Sequence, residues 1–93
     1  MMKNKQYVNG QKTFEQVGEV LTYFFKNSKI KAEGISNNGI MEGEWKFYRE
    51  TGQLWQVGNF KEGLKHGFWI RYDKKGELEY QEKFANGNLM KSK

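Results

Sequence analysis

The stretch Gly43-Glu-Trp-Lys-Phe-Tyr-Arg-Glu-Thr-Gly-Gln-Leu-Trp-Gln-Val-Gly-Asn-Phe-Lys-Glu-Gly-Leu64 decides how this chain folds. A forward step of 24 residues carries Gly43 to Gly67, Trp45 to Trp69, Tyr48 to Tyr72, Gly52 to Gly76, Leu54 to Leu78, Phe60 to Phe84 and Gly63 to Gly87. The same step backward lands on Leu21, Phe24, Ser28, Ile30, Gly34, Gly39 and Ile40, the last four standing for Leu54, Gly58, Gly63 and Leu64. Self-similarity at such a period marks a repeat architecture, in which each unit buries its apolar face against its neighbours. Units then run over 19–42, 43–66 and 67–90, with 1–18 as an N-terminal cap or partial unit, and the 93 residues form one domain.

Within a unit the pattern is that of a β-hairpin. In Glu77–Phe84, Leu78, Tyr80 and Phe84 alternate with Glu77, Glu79, Gln81 and Lys83, the period of two expected of a strand with one buried face. On the same reasoning Ile30 goes with Ala32, and Leu54 with Phe60. Glu50-Thr51-Gly52, Lys74-Lys75-Gly76 and the weaker Lys26-Asn27-Ser28 read as bulged three-residue turns; Asn37-Asn38-Gly39, Lys61-Glu62-Gly63 and Asn86-Gly87 read as a second set. Tyr7-Val8-Asn9-Gly10 echoes Phe84–Gly87. The fold class expected is all-β: a single antiparallel meander of about 6–8 strands built from hairpin repeats. One region reads two ways. Over 13–26, Phe14, Val17, Val20, Leu21, Phe24 and Phe25 gather on one helical face after a Thr13/Gln16 capping box, whereas the repeat makes Val20–Phe25 a strand and Gly18 weakens a helix.

Composition narrows the function. Aromatic residues are 16% of the chain, so Trp, Tyr and Phe supply most of the burial. Eleven glycines without a proline suit hairpins. With no cysteine there is no disulfide and no thiolate metal site. The N-terminal residues lack the apolar run of a signal peptide and nothing approaches a membrane span, so a cytoplasmic bacterial or phage-encoded protein is expected. The net charge of +5 favours acidic partners, but lysines and arginines alternate with glutamates except at Lys91 and Lys93, the pattern of a solvated mixed face. His66 is a lone turn histidine, Ser28, Ser36 and Ser92 have no nucleophile setting, and no carboxylate, metal-ligand or phosphate-loop motif stands out. The expectation is therefore a non-enzymatic protein with no cofactor and no metal.

The residues Gly43-Glu-Trp-Lys-Phe-Tyr48, Gly67-Phe-Trp-Ile-Arg-Tyr72 and Tyr23–Gly34 resemble MORN-type repeats, most closely the bacterial variant of the YwqK-family antitoxins, over residues 18–90. Ser28 stands where that pattern has its turn glycine, and 11–17 fit no unit. The resemblance implies a binding or scaffolding role, in the bacterial variant the neutralisation of a toxin, and no catalytic residues.

A candidate site comes from comparing the units. Trp55 replaces Lys31 and Glu79, Val57 replaces Glu33 and Gln81, Phe68 replaces Glu44, and Ile70 replaces Lys46 and Thr22. If Trp55, Val57, Phe68 and Ile70 share the face away from the core, they form an apolar partner-binding patch rimmed by Lys61, Lys65, His66 and Arg71. The same residues are core if that face is covered by residues 1–26 or by a second copy, as in a homodimer. The reading is a module that neutralises a partner protein, a toxin or other effector. Its alternatives are a phage-type inhibitor of a nuclease using a basic face, nucleic-acid binding through Trp69, Arg71 and Tyr72, and a scaffold; peripheral lipid binding lacks an amphipathic basic helix.

Overall fold

Alternating side chains and turn residues of defined handedness produce strands in unbroken succession. The structure, a computed structural model describing residue 10 and residues 12–90, has β1 (Phe14–Val17), β2 (Val20–Phe24), β3 (Ile30–Asn37), β4 (Ile40–Tyr48), β5 (Leu54–Lys61), β6 (Leu64–Lys65), β7 (Gly67–Tyr72), β8 (Leu78–Ala85) and β9 (Asn88–Met90). They make one antiparallel sheet ordered β1-β2-β3-β4-β5-β7-β8-β9, with β6 paired to β5. The class is the expected all-β meander, with nine strands rather than about 6–8. Among the described residues there is no helix, and so none long and apolar enough to cross a membrane. Tyr7–Asn9 and the tail lysines Lys91 and Lys93 lie outside the described residues.

The ambiguous stretch resolves as a hairpin. Phe14 pairs with Tyr23 and Val17 with Val20. Gly18 has φ +60, the value a type II′ turn needs at its first central residue and an α-helix cannot use. Two other turn types alternate along the sheet. Asn38-Gly39, Glu62-Gly63 and Asn86-Gly87 have positive φ at both residues, as in type I′ turns. At the opposite ends of the strands, Ser28, Gly52 and Gly76 donate their N–H groups to the carbonyls of Phe25, Arg49 and Asp73 at 3.0, 2.8 and 2.9 Å and close bulged turns with φ of +75, +97 and +83. Ser28 thus holds a left-handed backbone without being glycine, at a cost of roughly 1 kcal/mol.

One face of the sheet carries a chain of aromatic contacts. Ring centroids lie 6.3 Å apart for Phe14–Tyr23, 6.4 Å for Tyr23–Trp45, 6.2 Å for Trp45–Phe60, 5.1 Å for Phe60–Trp69 and 6.3 Å for Trp69–Phe84. Trp45 is fully buried, with Leu21 and Ala32 beside it. Each buried indole lies flat on a glycine of the preceding long strand, Trp45 on Gly34 and Trp69 on Gly58, where a Cβ would press into the face of the ring well within van der Waals contact. Each also donates its Nε1–H at 2.9 Å to a carbonyl, of Ile35 and Asn59 respectively. A bare backbone is what permits so close an approach.

The simple alternation fails where the register shifts. Pairing slips between Tyr23 and Phe24, between Phe47 and Tyr48, and between Arg71 and Tyr72, leaving Lys31, Trp55 and Glu79 as the extra residues on the facing strands. Such a bulge turns the residues before it to the other face. Ile30 therefore faces away from Ala32, Leu54 away from Phe60, and Leu78 away from Tyr80, contrary to the expectation that each pair shares a face.

Candidate partner-binding face

A row of cross-strand partners runs across the aromatic face: Phe14, Tyr23, Ala32, Phe47, Gln56, Arg71 and Tyr80. Ala32 is the small member of this row, between two aromatic neighbours. Strands lie ~4.8 Å apart, so Tyr23 and Phe47 stand ~10 Å apart with only a methyl group between them. The result is an open groove of about 450 Å³ with Ala32 and Trp45 as floor and Tyr23, Phe25, Lys31, Phe47 and Trp55 around it. Trp45 cannot offer its indole N–H to the groove, because Ile35 already accepts it.

Beside the groove, Trp55 carries two arginines. The Arg71 guanidinium lies between Trp55 and Tyr80, 5.0 and 4.8 Å from their ring centroids. It donates Nε–H and Nη2–H to Gln56 Oε1 at 3.2 and 3.1 Å. The Arg49 guanidinium stands 6.0 Å from the Trp55 centroid, donates Nη2–H to the Tyr72 carbonyl at 3.1 Å, and has a buried Nε without a partner. Neither has a carboxylate partner among the described residues, where the ion pair present is Lys12–Glu15 at 3.5 Å, near the N-terminal edge. Further along the face Lys65 Nζ sits 4.7 Å from the Trp69 centroid and 4.8 Å from that of Phe84, and Lys31 Nζ lies 5.8 Å from that of Phe25. Glu82, the cross-strand partner of Trp69, puts a carboxylate on this face at β8, whereas the cations Lys31, Arg49, Lys65 and Arg71 lie over β3 to β7. Among the described residues no group of three or more His, Asp or Glu comes close enough to hold a metal ion.

The eight residues named from the sequence do not form one patch. Val57 and Ile70 are direct cross-strand partners, and Phe68, two residues from Ile70, shares their face, where Lys83 Nζ lies 5.4 Å from its ring. Lys61, next to the aromatic-face residue Phe60, points to that same outer side. Trp55, Lys65 and Arg71 lie on the opposite, aromatic face, Trp55 because the bulge turns it over. His66 is half-buried in the turn before β7, with its Nδ1 buried and unpartnered rather than exposed. The sequence reading did not single out Arg49, Gln56, Tyr80 or Ala32. The unit comparison held a signal for the last, since Ala32 is the small residue in a column whose other members are Gln56 and Tyr80. Comparison with protein-family models, with curated proteins and with solved structures finds no match to this chain.

Proposed function

We propose that the protein is a cytoplasmic, non-enzymatic binding module that neutralises a partner protein by covering it with the aromatic face of the sheet. The observation that carries this reading is the open groove at Ala32 bordered by Trp55, whose two arginines lack carboxylate partners among the described residues. An aromatic anchor flanked by arginine at the edge of a concave apolar surface is the usual composition of a binding hot spot. The outer face carries Val57, Ile70 and Phe68 among Lys46, Gln81 and Lys83, with Leu54 and Leu78 nearer the strand ends. The antitoxin-like repeat resemblance supports the same reading from the sequence side. The test is to isolate a partner on immobilised protein and titrate the partner's own activity. Inhibition complete near one equivalent, retained by Phe68→Ser and weakened by Trp55→Ala, supports the proposal; a partner whose activity is unchanged, or turnover of a small molecule by the protein itself, refutes it.

A second reading draws on Lys31, Arg49, Lys65 and Arg71 sharing the aromatic face: competition with nucleic acid for a nuclease or other effector. Affinity for a single strand falling steeply between low and physiological salt would favour it.

A further inference from the structure

We infer that the Arg49–Trp55–Arg71 cluster and the groove at Ala32 together form one recognition site for an extended segment of a partner protein, with an acidic side chain on the arginines and an apolar side chain in the groove. The inference rests on the protein-binding reading above and names the ligand chemistry of its site. Arg71 is held rigid between two rings and a glutamine. Guanidinium has five N–H donors, and Gln56 occupies Nε–H and one on Nη2, so Nη1 remains with both of its donors. Arg49 likewise keeps Nη1 and is fixed through Nη2 to Tyr72. Both cations lie within 6.0 Å of the same indole centroid, so a carboxylate arriving at Trp55 meets a preorganised guanidinium, Arg71 above all, that no carboxylate of the described residues satisfies.

Geometry sets the spacing on the ligand. Trp55 belongs to β5 and Ala32 to β3, two strand spacings or ~10 Å away across the sheet. An extended segment crossing the strands presents residues i and i+2 on one side ~7 Å apart, and a long acidic side chain spans the remainder. The expected pattern is therefore an aromatic or large aliphatic residue, any residue, then glutamate. The same chemistry fits a base and its phosphate less well. The groove floor of Ala32 and Trp45 offers a base edge no free donor or acceptor side chain, and the Trp55 and Trp69 rings are already engaged by Arg71 and Lys65.

The test titrates the full chain with a capped peptide, Gly-Phe-Ser-Glu-Gly, and follows the ¹H–¹⁵N resonances of the three indoles and of arginine Nε, with Trp55 assigned by its loss in Trp55→Phe. Saturable shifts at Trp55 and Arg71 are expected, with affinity reduced at least ~5-fold by Glu→Gln in the peptide, by Phe→Ala in the peptide, and by Arg71→Gln in the protein. Unmoved Trp45 and Trp69 indole signals in Arg71→Gln show that the fold is intact. Absence of a saturable shift up to ~5 mM peptide, or affinity indifferent to Arg71→Gln, overturns the inference. A thymidine hexanucleotide that moves the same resonances at lower concentration also overturns it, assigning the site to nucleic acid. A neutralised partner whose complex tolerates Arg71→Gln and Trp55→Ala would sink this site while leaving the protein-binding reading standing on another surface.

Discussion

Gly34→Ala is the most informative single change for the fold. Gly34 is not at positive φ, so alanine meets no backbone strain there and even gains about 0.5–1 kcal/mol from the lower entropy of the unfolded chain. Its Cβ, however, would overlap the face of the Trp45 indole, which is fully buried and cannot swing into solvent. The ring must move by an ångström or so, an overpacking cost of ~1–3 kcal/mol. That movement also pulls Nε1–H away from the Ile35 carbonyl, now 2.9 Å distant, and an unsatisfied buried donor costs another ~1–3 kcal/mol. The net expectation is a loss of about 3 kcal/mol from a total that for a chain of this size is ~5–14 kcal/mol. In a domain this small each kcal/mol moves the midpoint by ~4–8 °C, so thermal unfolding followed by circular dichroism should shift down by ~12–24 °C. The partner substitution Trp45→Leu, which installs the residue found 24 positions earlier at Leu21, should make Gly34→Ala nearly harmless, a coupling of ~3 kcal/mol in a double-mutant cycle. Glu82→Ala is the control, since Glu82 holds the same repeat position but no tryptophan follows it on β9; it should change stability by less than ~0.5 kcal/mol. Gly34→Ala with a midpoint within ~3 °C of wild type, or additive with Trp45→Leu, would refute the glycine–indole argument.

Ser28→Gly should raise stability by ~0.5–1 kcal/mol in urea unfolding, because Ser28 sits at φ +75 where its sister turns have Gly52 and Gly76. Glu62→Asn should give a gain of ~0.5 kcal/mol by the same assay, since φ +52 at the first position of a type I′ turn suits asparagine, and the Glu42 carboxylate that accepts the residue-62 N–H is untouched. Trp55→Ala should cost no more than ~1–2 kcal/mol, against ~3–5 kcal/mol for the fully buried Trp45→Ala; equal losses would mean that Trp55 belongs to the core rather than to a surface poised for a partner. Glu15→Gln, which removes the exposed pair with Lys12, should move the midpoint by less than the equivalent of ~0.5 kcal/mol.

How far the site was legible follows from the same bulges. Val57, Ile70 and Phe68 share a face, since residues i and i+2 and cross-strand partners stay together wherever pairing is regular. Trp55 was misplaced, because nothing in the string Leu54-Trp55-Gln56 announces that Gln56 rather than Trp55 stands opposite Phe47. Arg49 could not be linked to Trp55 from spacing, as it reaches the ring from a turn, held there by the Tyr72 carbonyl at the end of β7.

What the sequence determined by itself is the succession of strands. The 24-residue recurrence of Trp, Tyr and Gly, the left-handed turn residues and the alternation of polar with apolar side chains are local quantities, and local chemistry is enough to make hairpins and line them up. Which side chains share a face was decided only in three dimensions. A one-residue slip in pairing inverts everything on one side of it, and that slip depends on how two strands fit each other, not on either strand alone.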